Sequence, residues 1–138
     1  MTGLVNGSAV RFQVQAANAV GPGAFSAASA VVTPAGVPGR TLIGVAAYGA
    51  AGGHTTALAR WQAPVSSGGL AVNGYLVTAV RINAAGVGVA RYTSAVQPAG
   101  LRSLSMTLPA GYYRFVVRAR NGVGLGASSP GSNLVRAQ

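Results

Sequence analysis

Residues 113–129 read Tyr113-Arg114-Phe115-Val116-Val117-Arg118-Ala119-Arg120-Asn121-Gly122-Val123-Gly124-Leu125-Gly126-Ala127-Ser128-Ser129. Tyr113, Phe115, Val117 and Ala119 share one face and Arg114, Val116 and Arg118 the other, the period-two pattern of a strand with one side in a core. A glycine-punctuated turn follows and leads into a second extended run, so the stretch reads as a β-hairpin. The same hairpin is written a second time. Phe12-Gln13-Val14-Gln15-Ala16-Ala17-Asn18-Ala19-Val20-Gly21-Pro22-Gly23 aligns without gaps on Phe115 to Gly126, and Ser26 and Ser29 fall on Ser129 and Ser132, all at an offset of 103 residues. Residues 10–16 alternate as well, with Val10, Phe12, Val14 and Ala16 on one face and Arg11, Gln13 and Gln15 on the other. A repeat of this length is too long for a solenoid and fits tandem β-domains of about 100 residues.

Working outward, strand signals dominate and no helical period is sustained. Strands are expected over 41–48, 55–61, 75–82, 89–93, 102–108, 112–121 and 129–136. Thr33-Pro34-Ala35-Gly36-Val37-Pro38-Gly39 interrupts them, since two prolines and two glycines stop strand pairing.

The pattern Tyr113-x-Phe115-x-Val117-x-Ala119-x-Asn121-x-x-Gly124-x-Gly126-x-x-Ser129 resembles the F strand, FG loop and G strand of a fibronectin type III domain. Upstream, Trp61-x-x-Pro64 resembles the end of strand B in that family, Gly68-Gly69-x-x-Val72-x-Gly74-Tyr75-x-Val77 the lead into strand C, and Leu108-x-x-Gly111 the approach to the tyrosine corner at Tyr113. The resemblance implies an all-β fold: an immunoglobulin-like, seven-stranded Greek-key sandwich, with strands A, B and E facing C′, C, F and G, plus an extra hairpin from a partial repeat. The organisation expected is a partial unit at 1–33, a linker at 34–39 and a complete unit at 40–138. The core of the complete unit should hold Trp61, Tyr75, Val77, Leu104, Met106, Leu108, Tyr113, Phe115 and Val117. Two departures stand out. Val10 replaces the corner tyrosine in the first copy, and Ala59 lies where the family usually places a large β-branched residue, leaving the core near Trp61 underfilled unless it is filled from elsewhere.

Composition excludes much chemistry. The 138 residues include 10 basic side chains, all Arg, with no Asp, Glu, Lys or Cys, and a formal charge of +10. An average chain of this length would carry roughly 16 acids. Without carboxylates or thiols there is no Ser-His-Asp triad, no glycosidase acid pair, no Asp-held Mg²⁺ and no thiolate metal site. No cofactor is expected. His54, the single histidine, lacks companion ligands and reads as a loop residue. Ser66-Ser67-Gly68-Gly69 lacks the lysine and helix of a phosphate cradle, and the glycines at 122, 124 and 126 precede a strand rather than a helix, so the dinucleotide motif fails. No apolar run approaches the ~18 to 20 residues that span a bilayer, and no membrane insertion is expected.

Three groups of residues remain as candidates. Residues 1–33 can supply only a two-stranded hairpin, marginal in water, so the apolar face of Val10, Phe12 and Val14 calls for cover by upstream domains of the same protein or by other copies of the chain. On strand C the outward positions include Leu76 and Val80, with Val116 beside them on strand F. This apolar stripe marks an interface unless the strand is framed one residue off. Arg114, Arg118 and Arg120 form a row that could take phosphate, sulfate or carboxylate groups, or could simply be a solvated face that resists aggregation. The function expected is a non-enzymatic structural or adhesive module, a spacer or assembly unit of a filament, phage tail appendage or secreted protein, at an extracellular, cell-surface or virion-surface location. The alternative is a polyanion-binding module.

Overall fold

The computed structural model describes residues 2–49 and 55–138, so His54 lies outside the described residues. Eleven strands and no helix are present among them: β1 Gln15–Ala17, β2 Pro22–Phe25, β3 Leu42–Ile43, β4 Ala47–Tyr48, β5 Thr56–Gln62, β6 Gly74–Ile82, β7 Gly88–Thr93, β8 Gln97–Pro98, β9 Ser103–Thr107, β10 Gly111–Arg120 and β11 Val135–Ala137. All pairings are antiparallel. One sheet joins β3 and β4 to β5 and β5 to β9. The other runs β11, β10, β6, β7, with β8 also on β6. These are the A-B-E and C′-C-F-G sheets of the expected sandwich, and β1 and β2 form a separate hairpin.

The core lies where inward positions of the two sheets meet. Along β10, Tyr113, Phe115, Val117 and Ala119 are fully buried, and along β6 so are Tyr75, Val77 and Ala79. The framing of strand C is therefore correct, and Leu76, Thr78 and Val80 face outward, half-buried. On β5 the inward residues are Ala57, Ala59 and Trp61. Ala59 is fully buried, and the Trp61 and Tyr75 rings of the same core lie 5.6 Å apart. Leu108 is buried as expected, whereas Leu104 and Met106 are only partly covered because β9 is the outermost strand of its sheet on that side.

Three elements depart from the expected map, the first being β8, a two-residue strand on the start of β6 that no expected strand covered. The strand over 41–48 is two short strands, and its register on β5 slips by one residue between Ile43↔Trp61 and Ala47↔Leu58. The carboxamide of Asn133 fills the break: Ala46 N–H donates to its Oδ1 at 2.8 Å and its Nδ2 donates to the Ala46 carbonyl at 3.1 Å. The strand over 129–136 shrinks to β11, because Pro130 has no N–H and serine hydroxyls replace the ladder before it. Val117 N–H donates to Ser129 Oγ and Phe115 N–H to Ser132 Oγ, both at 2.9 Å, while each serine N–H returns a bond to the carbonyl of the same partner. Tyr113 closes the corner, its hydroxyl donating to the Pro109 carbonyl at 2.7 Å.

Candidate functional site

The hairpin at the start of the chain repeats the serine-to-backbone and turn bonds of the β10–β11 region. Phe12 N–H donates to Ser29 Oγ and Val14 N–H to Ser26 Oγ, both at 3.0 Å. The Ser26 and Ser29 N–H groups return bonds to the carbonyls of Val14 and Phe12. Val10 bridges Val32 as Tyr113 pairs with Val135. In the turns, Asn18 Oδ1 accepts from Val20 and Gly21, as Asn121 Oδ1 accepts from Val123 and Gly124. The 103-residue offset in the sequence is thus an offset in hydrogen bonds.

What differs is the cover. Val117 and Val135 are 0% and 1% exposed, and their equivalents Val14 and Val32 are 73% and 49% exposed. Val10 and Phe12 are half-buried. The hairpin is not folded back with its apolar face against the sandwich. It meets the rest of the chain at its base, where Gly7 N–H donates to the Pro34 carbonyl, and its Cα lies beside Gly69.

The second surface is the outer face of the β7-β6-β10-β11 sheet, and there the two sets of candidate residues interleave. Cross-strand register sets Leu76 opposite Arg118, Val116 opposite Thr78, and Val80 between Arg114 and Arg91. Ile82 and Tyr112 continue the stripe, with Arg136 beyond Tyr112. The six residues Val10, Phe12, Val14, Leu76, Val80 and Val116 consequently fall on two separate surfaces. The first three lie on the inward-type face of the hairpin and the last three on an outward face, so they are not one continuous interface.

The arginines are partly engaged. Arg114 Nη1 donates to the Ser132 carbonyl and Arg118 Nε to the Gly126 carbonyl, both at 2.7 Å, which satisfies carbonyls of the irregular segment before β11. Gln15 does the work of Arg118 in the first hairpin, its Nε2 donating to the Gly23 carbonyl at 2.7 Å. That task needs a donor and not a charge. Arg120 is exposed at the end of β10.

A further set of contacts was hidden in the sequence. Asn121, almost fully buried, donates from Nδ2 to the carbonyls of Gly36 at 2.7 Å and Ser67 at 2.9 Å, tying the 34–39 segment to the loop after β5. Gly36 N–H donates to the Gly68 carbonyl and Gly39 N–H to the Ser66 carbonyl in the same cluster. The recurrence of Asn at 18 and 121 was the signal available, but its second partner set lies 54 and 85 residues away.

No family model matches the chain, and no curated protein matches it. Solved structures do. Domains A168–A170 of titin align with a TM-score of 0.60 at 19% identity, over 82% of this chain and 36% of that one. Domains FN1–FN3 of chicken CNTN1 align with a TM-score of 0.55 at 21% identity, over 98% of this chain and 46% of that one. The FN5 domain of Drosophila Lar aligns with a TM-score of 0.52 at 20% identity, over 73% of this chain and 97% of that one. The chain thus spans about a third to a half of these two multidomain structures and nearly all of the single domain. With the two sheets, the tyrosine corner and these neighbours in view, the chain has the fibronectin type III fold.

Proposed function

We propose that the chain is a stretch of a tandem array, with a partial unit at 1–33, a linker at 34–39 and a complete unit at 40–138, serving as a non-enzymatic spacer or assembly module of an extracellular, cell-surface or virion-surface structure. One observation carries this reading: the first hairpin keeps the hydrogen bonds of β10 and its partner segment while Val14, at the place of the buried Val117, stands open. A two-stranded hairpin with an apolar face gains little by itself, so a neighbouring half-sandwich supplies its stability. An outward apolar stripe such as Leu76, Val80 and Val116 is the kind of face that a partner covers.

Sedimentation combined with amide exchange tests it. The isolated chain is expected to exchange rapidly at Phe12 and Val14, and to gain protection there only on association. A strictly monomeric chain in which Phe12 and Val14 are as protected as Phe115 and Val117 would overturn the proposal.

A second reading rests on the charge. Ten arginines face no acid in the sequence, and Arg91, Arg114, Arg118 and Arg136 ring the apolar stripe with Arg120 at its end. Such a face suits phosphate or sulfate groups of a polyanion, with affinity that falls steeply in salt. Retention on heparin or DNA at low salt that vanishes near ~0.5 M supports this reading, and no retention at low salt removes it.

A further inference from the structure

The tip of the first hairpin carries a concavity of about 400 Å³ lined by Ala16, Ala17, Asn18, Val20, Gly21, Pro22 and Gly23. In the complete unit the equivalent place is filled. There Pro38 is buried, Val37 lies against Gly124, and the Gly36 carbonyl accepts from Asn121 Nδ2. Gly126 is required for this approach, since a Cβ on it would run into the Pro38 carbonyl. Just beyond, Thr41 Oγ1 donates to the Val117 carbonyl at 2.7 Å, fixing the lead-in strand on the floor of the sandwich.

The asparagine and the two glycines of the seat recur in the first hairpin as Asn18, Gly21 and Gly23, and among the described residues its occupant does not. Gly23 is retained at the place of Gly126, yet a Cβ on it would meet only the Ala16 carbonyl at 3.5 Å. A Cβ on Gly21, the counterpart of Gly124, would meet nothing within 4 Å. Asn18 uses its Oδ1 for the turn as Asn121 does, while its Nδ2 finds no protein acceptor among the described residues. Glycines and a carboxamide placed to admit a backbone segment, where none passes, describe its chemistry.

We infer that the notch at Asn18, Gly21 and Gly23 is a docking seat for an extended Gly-Val-Pro-Gly-type segment, presenting a backbone carbonyl to Asn18 Nδ2, from a further unit of the same repeat. This rests on the tandem reading above. A second copy of the chain is a poor donor. Its one complete A-B-C-E half is already closed by β10 and β11, so lending its segment 36–39 would open the complete unit.

The substitution Asn→Asp isolates the seat, because it keeps an oxygen for the turn N–H groups and removes the Nδ2 donor. In the 138-residue chain, N121D is expected to speed amide exchange at Val117 by about tenfold or more, and N18D to leave exchange at Val14 unchanged. In a longer chain with residues 34–103 repeated ahead of residue 1, exchange at Val14 should slow by about 100-fold, and N18D should now reverse that by about tenfold. If Val14 becomes protected but N18D has no effect, the seat is wrong and the tandem reading stands. If Val14 stays unprotected in the longer chain, the tandem reading itself fails. If N121D changes nothing in the 138-residue chain, the contact on which the seat is patterned carries no stability and the inference falls.

Discussion

Val14 and Val117 occupy the same position in two copies of one hydrogen-bond pattern, each accepting from and donating to a serine twelve residues on, and one is open to solvent while the other is fully covered. The pair separates what the backbone pattern supplies from what burial supplies. Truncating Val117 to Ala removes methyl groups from the middle of the core and should cost about 2 kcal/mol, read as a shift in the urea midpoint. Val14→Ala should change stability by less than about 0.5 kcal/mol.

Ser129 stands in for a strand. Its hydroxyl is the acceptor for the Val117 N–H, deep under the sandwich, so Ser129→Ala leaves a buried donor unpaired and should cost about 1–3 kcal/mol in the same unfolding assay. Ser26→Ala should cost distinctly less, because water reaches the exposed Val14 N–H that it serves.

Gly68 sits at the join between the 34–39 segment and the loop after β5, with φ at +77°. A Cβ there would overlap the carbonyls of Gly36 and Val37. Gly68→Ala should therefore lower stability by about 2 kcal/mol or more, measured by thermal or urea unfolding, since strain and overlap add.

Tyr113 makes the fold sensitive to alkali. Burial, reinforced by the nearby Tyr92 and opposed by Arg81, raises its hydroxyl above the ordinary value of 10.0. Below pH 10 both folded and unfolded chains keep the proton and this contribution is whole. As pH rises past that value the unfolded chain ionises first, so stability falls until the raised native value is passed. Tyr113→Phe should flatten this alkaline slope in unfolding curves, while costing about 1 kcal/mol at neutral pH through loss of the bond to the Pro109 carbonyl.

Much of this was legible from local pattern. Alternation in 113–119 and 10–16 named the strands and their buried faces, and the constant offset named the repeat, because period-two burial and turn glycines are properties of neighbouring residues. The break in the strand over 41–48 was not legible, because it depends on the carboxamide of Asn133 reaching Ala46 from 87 residues away. Nor was the shortening of the last strand, where hydroxyls of Ser129 and Ser132 replace backbone acceptors. The candidate surfaces were read as types without their arrangement: Leu76, Val80 and Val116 were correctly placed outward, but their interleaving with Arg114 and Arg118 follows from the register between β6 and β10.

The amino-acid sequence alone determined that the chain is built from strands, which side of each is apolar, that no carboxylate or thiol chemistry is present, and that one hairpin is written twice. Only the tertiary structure decided that the copies differ in cover, that Asn121 grips the 34–39 segment while Asn18 grips nothing beyond its own turn, and that arginine and aliphatic rows share a face. Matching residues at matching positions make the same local turn and ladder bonds, but burial is set by the surfaces brought against them, and those come from residues far along the chain.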